Sequence, residues 1–349
     1  MSVTSTAVPL DTLKWTLEPS GATEGQTFYV TTQSGIYVLL QMVYSSINSW
    51  SPSVQITARV YFPDGTKKVK NVSVGGSSLK LSADKLSSTC SPMAVTFKTA
   101  TPGPSYKVSF QAGTEVQAEL DFDALVEAYQ VNDGKTLYTP GNPANGYIAA
   151  RFVPKSKVTG TLIIDGKSHE AAGHGVFSHV IQSPPQNVAR WNYANLQNEK
   201  DALILYQYHL PKGKYPQDVV SQGVLVLDNK IIAVTVANHT VFNGTAVDSF
   251  SGYHVPKAVT HVWEGTTRAG EPVRVELALK LDRMLDKIDV LAELPFLVRK
   301  FIQTFITAPF VYQWLENAEA KITIGGKEST IKGLAFHENT FMSELEQTA

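Results

Sequence analysis

The sequence predicts an all-β protein built from two antiparallel domains. Short runs of β-branched and aromatic residues alternate with Gly, Pro, Asn and Asp turns about every 8–12 residues, which is typical of barrels and sandwiches. Hydrophobic residues make up 43% of the chain and charged residues only 17%, so a large apolar core can form. The 349 residues suffice for two domains.

The first half is predicted to contain an arm and one β-domain. Residues 1–24 are rich in Ser, Thr, Pro and Gly and form the arm, with Trp15 as its single anchor. The N-terminal domain is placed at residues 25–150, and the Gly-, Pro- and Asn-rich residues 131–147 form the linker region. Its strands are predicted at Thr27–Thr31, Ile36–Tyr44, Val54–Phe62, Val69–Val74, Ser78–Leu81, Ala94–Thr99, Tyr106–Phe110 and Glu115–Phe122.

The C-terminal domain, residues 151–349, repeats this rhythm of strands and turns. Its strands are predicted at Lys157–Ile164, Gly173–Gln182, Arg190–Leu196, Asp201–His209, Gln222–Leu227, Lys230–Ala237, Lys257–Glu264, Glu271–Leu281, Phe310–Ile324 and Ser329–Phe341. We also expect a strand up to Leu294 and a short helix from Pro295 to Phe305, since proline suits a first helical turn.

Composition argues against several classes of protein. The net charge of −1 gives no basic surface for nucleic acid. A single cysteine, Cys90, permits no intrachain disulfide and is predicted to be a buried thiol. No signal peptide or transmembrane helix is predicted, and we expect a cytoplasmic location. No nucleotide or metal motif occurs, so no cofactor is expected.

The stretch from Gly173 to Gln197 gathers two histidines, an arginine, a tryptophan and several amides among apolar residues. His174 and His179 are five residues apart, which places them on opposite faces of a strand and argues against a metal pair. His179 is either satisfied by hydrogen bonds within the core or orients a ligand carbonyl.

The strand that begins at Arg190 leaves two alternatives open. If the face with Trp191 points inward, the cavity gains an aromatic wall. If the face with Arg190 points inward, a guanidinium enters the cavity and needs a partner. We expect that partner to be an acidic residue near Asp282. Gln41 lies in an apolar strand, so it contacts either a ligand or a neighbouring backbone group.

The order of motifs resembles the Svf1 family, a fungal family named for survival under oxidative stress. The resemblance covers about residues 15–343. It is carried by Trp15, Glu24–Tyr29, Gln41–Ser45, Gly173, Phe177, His179, Gln182, Ala189–Asn195, Gly223, Asp228–Ile232, Trp263–Thr266, Leu281–Arg283, Ile288–Pro295 and Phe310–Trp314.

This resemblance implies two lipocalin-like barrels that handle a hydrophobic molecule. Family members are linked to ceramide and sphingolipid traffic, and related fungal folds include pericyclases. Residues 1–12 are polar and interrupted by proline, so no amphipathic membrane helix is expected, and the segment after His179 departs from the family pattern. Both departures indicate a divergent member.

We therefore predict a cofactor-free cyclase of fungal secondary metabolism, which promotes a Diels–Alder-type reaction by proximity and a hydrogen bond. The alternative is a carrier of ceramide or another hydrophobic ligand. The predicted catalytic residues are Gln41, His179, Arg190 and Trp191. The predicted substrate-binding residues are Tyr29, Tyr44, Gln182, Tyr193, Asn195, Trp263, Tyr312 and Trp314.

Overall fold

The structure, a computed structural model, describes residues 8–19, 21–47, 51–292 and 309–343. The predicted helix Pro295–Phe305 lies outside these residues. The described chain forms two compact units. The N-terminal unit contains residues up to 135 together with 147–185, and the C-terminal unit contains residues 136–146 and those from 186 onward.

The first thirteen strands are β1 (Thr23–Thr32), β2 (Tyr37–Ser45), β3 (Ser53–Tyr61), β4 (Lys67–Gly75), β5 (Lys80–Leu81), β6 (Ser88–Cys90), β7 (Met93–Thr99), β8 (Ser105–Ala112), β9 (Val116–Ala124), β10 (Thr136–Thr139), β11 (Asn142–Ile164), β12 (Lys167–Glu170) and β13 (Gly173–Ser183). Single turns of 3₁₀ helix occur at Leu10–Leu13, Gly76–Ser78, Asn132–Gly134 and Pro185–Asn187.

The N-terminal unit is one antiparallel sheet curled into an open half-barrel. Its strands run in the order β4-β3-β2-β1-β13-β11-β9-β8-β7-β6-β5. Because β13 lies between β1 and β11, the unit extends to residue 185, whereas the sequence suggested a boundary at residue 150. The sequence carries a turn signal at 183–187, Ser-Pro-Pro-Gln-Asn, but the longer Gly-, Pro- and Asn-rich segment 131–147 favoured the earlier boundary.

Alternation along each strand sends one set of side chains into the half-barrel. Phe28, Val30, Leu40 and Phe177 belong to this core, and Cys90 is buried in it as predicted. The arm also reaches the core, because Leu13 and Trp15 are almost fully buried there. The arm is therefore packed in place through more than the single anchor that was expected.

The C-terminal unit contains the remaining strands. They are β14 (Arg190–Gln197), β15 (Ala202–His209), β16 (Val219–Leu227), β17 (Lys230–Phe242), β18 (Thr245–Val247), β19 (His254–Pro256), β20 (Ala258–Thr267), β21 (Pro272–Lys280), β22 (Met284–Asp289), β23 (Phe310–Ile324) and β24 (Lys327–Phe341).

Eight of these strands close into a barrel in the order β21-β20-β17-β16-β15-β14-β24-β23, with β23 pairing back to β21. The predicted all-β fold of two lipocalin-like domains is therefore confirmed, with one closed barrel and one open half-barrel. The strand expected up to Leu294 ends earlier. Asp289 closes β22 with a turn in which its side chain accepts from the backbone N–H groups of Leu291 and Ala292.

The two ends of the barrel differ in their connections. One end has only the short turns 198–201, 228–229, 268–271 and 325–326. The other end carries the long segments that join β15 to β16 and β17 to β20. We call it the open end, because long loops at a barrel mouth are where ligands usually enter. No helix among the described residues has the length and apolar character needed to cross a membrane.

Candidate functional site

The face of β14 that carries Arg190 lines the barrel interior. Arg190 lies opposite His209 on β15 and Phe341 on β24, and farther along the same face Ala194 and Leu196 join the barrel core. Of the two alternatives left open by the sequence, the structure therefore selects the inward guanidinium.

Arg190 sits at the open end without an acidic partner. Its Nη2 donates to Nε2 of His209 at 3.2 Å, and its guanidinium carbon lies 4.5 Å from the ring centroid of Phe242. The expected clamp with an acid near Asp282 does not form, since Asp282 is exposed and no described carboxylate pairs with Arg190. Burial lowers the pKa of Arg190 to about 10, so it stays charged at neutral pH.

Amide side chains continue this polar group into the barrel. Asn192 Nδ2 donates to Gln207 Oε1 at 3.0 Å, and Asn339 Nδ2 donates to Asn192 Oδ1 at 2.7 Å. Gln207 Nε2 in turn donates to the backbone carbonyl of Asn238 at 3.0 Å. These bonds fix the side chains of Asn192 and Gln207 in one orientation.

Two further histidines lie deeper in the interior. The rings of His261 and His337 are 5.1 Å apart, and Trp314 stacks on His337 at 5.5 Å. Burial lowers the pKa of His261 to about 3 and that of His337 well below its usual value. Burial and the charge of Arg190 lower the pKa of His209 to about 3. All three rings are therefore neutral at pH 7.

We call these interior side chains the polar layer: Arg190, Asn192, Gln207, His209, Asn238, His261, Trp263, His337 and Asn339. Within the described part of the chain, several of its buried atoms lack hydrogen-bond partners. They are Arg190 Nε, Trp263 Nε1, both amide atoms of Asn238, His261 Nε2, both ring nitrogens of His337 and Asn339 Oδ1. Unpaired polar atoms inside an apolar enclosure favour a ligand that pairs with them.

A hairpin formed by β18 and β19, with the loop between them, covers part of the open end. We call it the cap hairpin. Its Asp248 accepts from the hydroxyl of Tyr312 at 2.9 Å and from Nζ of Lys287 at 2.9 Å, and its Tyr253 stacks on Phe341 at 4.6 Å. Although burial raises the pKa of Asp248, these bonds outweigh it and hold the value near about 2.

The N-terminal unit holds a different polar group around His179. Nε2 of His179 lies 2.8 Å from Oε1 of Glu24, and both side chains are fully buried. Glu24 also accepts from the backbone N–H groups of Thr16 and Leu17 and from the Thr16 hydroxyl. Burial raises the pKa of Glu24, but the bond and charge of His179 and these further donors lower it overall, so the carboxylate is ionised and His179 Nε2 donates.

His179 belongs to a row of three polar side chains on the concave face of the half-barrel. Arg151 on β11 lies directly opposite His179 on β13, and His179 lies opposite Gln26 on β1. We call these three residues the polar row. Arg151 is 5% exposed and the other two are fully buried.

The other candidates in the N-terminal unit do not join this row. Gln41 points to the outer face of the sheet, where its amide donates to Thr27 Oγ1 at 2.9 Å. Tyr29 and Gln182 share that outer face, while Tyr44 points to the core face beside Glu24. The structure thus separates Gln41 from His179, although the sequence grouped them.

In the C-terminal unit the candidates also fall into two groups. Trp263, Tyr312 and Trp314 point into the barrel together with Arg190. The remaining three lie on the outer face of β14, where Trp191 donates to Glu338 Oε1 at 2.9 Å, Tyr193 packs near Tyr206, and Asn195 accepts from Gln197.

Sequence reasoning missed most of the polar layer and the polar row. His261, His337 and Asn339 are single polar residues in alternating strands, and they meet only because the barrel closes. Glu24 was assigned to the arm. Among the described residues, no three His, Cys, Asp or Glu side chains lie close enough to hold a metal ion.

Two solved structures share this architecture. The crystal structure of CghA with Sch210972 aligns with a TM-score of 0.65 and 12% identity, over 93% of this chain and 89% of CghA. Kievitone hydratase from Nectria haematococca aligns with a TM-score of 0.59 and 12% identity, over 98% of this chain and 96% of the hydratase. At this identity the likeness shows the fold alone.

Sequence relatives are more informative. The ceramide-binding protein svf1 of Aspergillus fumigatus is 26% identical over 370 residues, covering 97% of this chain and 91% of the relative. The ceramide-binding protein svf1 of Schizosaccharomyces pombe is 25% identical over 350 residues, covering 95% and 89%. The model of the Svf1 family matches residues 3–343, and the chain therefore belongs to the Svf1 family.

Proposed function

We propose that this protein binds a neutral long-chain lipid of the ceramide class inside the barrel of the C-terminal unit. The observation that carries the proposal is the polar layer. It places uncharged donors and acceptors, several of them unpaired, inside an apolar enclosure next to the open end. The names of the relatives, which describe ceramide-binding proteins, support the same ligand class.

The chemistry of the polar layer favours a neutral head group. Its three histidines are uncharged at neutral pH because burial lowers their pKa values. Its one charge, Arg190, keeps a minor part of its surface exposed at the open end and already contacts the rings of His209 and Phe242. A ceramide head group offers an amide and hydroxyls, which both donate and accept. Such a group can pair with the Trp263 N–H and with the amide of Asn238.

Entry of a long chain requires movement at the open end. Buried aromatic side chains, among them Tyr312, Trp314 and Phe341, fill the interior near the cap hairpin. The bond between Asp248 and Tyr312 holds the hairpin over them. We propose that the hairpin swings away to admit the lipid and that apolar side chains then repack around it.

The test measures ceramide transfer from vesicles to the purified protein by native mass spectrometry. We expect one ceramide per chain. The Arg190→Met and Asn192→Leu variants should each lower occupancy about tenfold or more, because each removes a polar group that faces the ligand. The Trp191→Phe variant is the matched control, since this neighbouring side chain points away from the interior.

Equal loss of ceramide in the Trp191 control would place the lipid outside the barrel. Unchanged binding in both interior variants would overturn the proposal. A polycyclic product in place of a lipid would favour the second candidate below.

The second candidate is a cofactor-free cyclase that acts on a hydrophobic polyene in fungal secondary metabolism. One observation favours it: Arg190 and Trp263 present N–H donors within a largely apolar enclosure, an arrangement that can polarise a carbonyl and promote cyclisation. This candidate requires turnover of a polyene substrate with no metal or nucleotide added. If substitution of Gln41, His179, Arg190 and Trp191 one at a time left that turnover unchanged, these residues would not form a catalytic site.

A further inference from the structure

Arg151 is a buried guanidinium that forms no ion pair with any residue the structure describes. Its side chain is 5% exposed, and its Nε and Nη1 atoms have no hydrogen-bond partner among the described residues. Its remaining contact is a long one, from Nη2 to the carbonyl oxygen of Gly134 at 3.4 Å. An unpaired buried charge is costly, so the folded protein needs an explanation for it.

Other unpaired polar atoms surround this guanidinium. In the polar row, both amide atoms of Gln26 and Nδ1 of His179 lack partners, as does Nε1 of Trp15, whose ring packs 5.5 Å from that of His179. Directly opposed residues of antiparallel strands have Cβ atoms about 5 Å apart, so these groups converge on one region of the concave face.

Glu24 does not neutralise Arg151. Its two oxygens accept from His179, Thr16 and Leu17, and it forms no ion pair with the guanidinium. Glu24 is close enough only for a longer-range attraction that raises the pKa of Arg151, while burial lowers that pKa by a larger amount. Arg190 in the barrel differs in its contacts, because its guanidinium donates to His209, lies over the ring of Phe242 and keeps part of its surface exposed.

We propose that the polar row binds the head group of an acidic amphiphile, a long-chain carboxylate, at a site separate from the barrel. A carboxylate accepts two parallel hydrogen bonds from one edge of a guanidinium, formed by Nη2 together with either Nε or Nη1. Nη2 of Arg151 carries two N–H groups and makes one long bond to Gly134, so its second N–H can act together with Nε or Nη1, which are both unpaired. The N–H of Trp15 and the amide of Gln26 supply further donors.

The charge balance favours a carboxylate over a phosphate. Glu24 already places one negative charge beside the polar row, and a single new negative charge matches the single charge of Arg151. A phosphate monoester would add close to a second negative charge next to a buried carboxylate.

The walls beside the polar row suit an apolar chain. One step along the same face, Phe28 and Phe177 have ring centroids 4.9 Å apart, and Tyr106 lies 4.5 Å from Phe177. The arm residues Trp15 to Leu17 cover the row, so the amphiphile enters beneath them. This site does not depend on the ligand of the barrel.

The test uses the full-length, delipidated protein and titrates it with palmitate, octanoate, acetate and the neutral analogue hexadecanol. We expect palmitate to bind with one molecule per chain, octanoate to bind more weakly, and acetate and hexadecanol to show no measurable binding. The Arg151→Met variant should weaken palmitate binding about 30-fold or more. The Arg151→Lys variant should retain part of it, because the charge remains but the paired donors do not.

Arg190→Met is the matched control, since it removes the interior arginine of the C-terminal unit that also lies opposite a histidine. It should leave palmitate binding unchanged, and Arg151→Met should leave ceramide binding unchanged. The two proposals therefore fail separately. In a ¹⁵N spectrum of the arginine side chains, the Nε–H signal of Arg151 should shift with palmitate and not with hexadecanol.

Three results would overturn the proposal. One is a ligand-free Arg151→Met protein that melts at a lower temperature than the wild type. Removing an unpaired buried charge should stabilise the fold, so a lower melting temperature would mean that Arg151 is a purely structural residue. Another is binding of acetate as tight as that of palmitate, which would indicate a simple anion site. The third is a high-resolution structure with palmitate present and only water at Arg151.

Discussion

Both units place an arginine opposite a histidine on neighbouring antiparallel strands. In the N-terminal unit Arg151 faces His179, and in the C-terminal unit Arg190 faces His209. The surroundings of these two pairs differ. His179 donates to a buried carboxylate, whereas His209 accepts from its own arginine and pairs with no acidic side chain among the described residues.

The segment that covers each pair is also held differently. The arm is held over the polar row by Glu24, which is fully buried and accepts from the backbone of Thr16 and Leu17. The cap hairpin is held over the open end by Asp248, a less buried carboxylate that bonds to Tyr312 and to Lys287. One carboxylate therefore holds each covering segment: the fully buried Glu24 holds the arm, and the partly exposed Asp248 holds the cap hairpin.

This difference shows that burial, more than residue type, decides what an Arg–His pair can do. Neutral amides lie beside the barrel pair, and part of Arg190 remains exposed at the open end, which suits a neutral ligand at an entrance. The N-terminal pair lies where every charge needs a partner, which favours structural ion pairing at His179 and anion binding at Arg151.

The largest effect is expected from Glu24→Ala. The substitution leaves His179 and the N–H groups of Thr16 and Leu17 without an acceptor in the core. We expect a loss of about 3–5 kcal/mol in the free energy of unfolding. Chemical denaturation of the full chain measures it, and hydrogen exchange should show the arm opening first.

The control for this variant is Glu24→Leu combined with His179→Leu, which removes both members of the pair. It should recover part of the lost stability, since two apolar residues leave fewer unpaired groups than one broken pair. A loss below about 1 kcal/mol in Glu24→Ala would mean that the buried pair contributes no more than a surface ion pair.

The second effect is a pH dependence that separates the two units. The folded pKa of His209 is about 3 against 6.5 for the free side chain, so below 6.5 the unfolded state binds a proton that the folded barrel does not. At about pH 5 this histidine alone should cost about 2 kcal/mol. Glu24 responds at lower pH than His209, because its pKa in the folded protein lies below 4.5. The stability that its carboxylate contributes therefore persists above pH 4.5 and is lost as the pH falls through the folded pKa.

Between about pH 6.5 and 4.5 we therefore expect the barrel to lose stability and the Glu24 pair to keep its contribution. Hydrogen exchange measured at both ends of this pH range can follow each unit separately. His209→Gln keeps an acceptor for Arg190 without a titrating ring, so its barrel should respond less to acid. An equal response of wild type and variant would show that His209 is not the group that titrates.

Much of the fold could be predicted from the sequence because strand alternation and turn residues are local signals. The turns at Asp64-Gly65, Asp165-Gly166 and Asp228-Asn229 fall in the gaps between predicted strands, with positive φ at Gly65, Asp165 and Asp228. The assignment of β13 to the first sheet is non-local. It depends on pairing with β1, about 150 residues earlier in the chain, and no local pattern encodes it.

The candidate site was less predictable for the same reason. Alternation showed that Arg190 and Trp191 face opposite ways, but only barrel closure decides which one points inward. The partners His209 and Glu24 come from strands whose register the sequence does not specify. Asp282 was a reasonable expectation by charge, yet it lies on the surface.

The smallest effect is expected from Asp248→Asn at the cap hairpin. Asparagine keeps an oxygen for the turn that accepts from the N–H of Phe250, but it weakens the bonds to Tyr312 and Lys287. Because Asp248 is less buried than Glu24, we expect a loss of only about 1 kcal/mol. Faster hydrogen exchange should be confined to residues 245–256, and lipid should exchange faster with the barrel than in the wild type. If exchange of the arm also accelerated, the two covers would not be independent, and the contrast between a deep and a shallow carboxylate would no longer explain how each unit is closed.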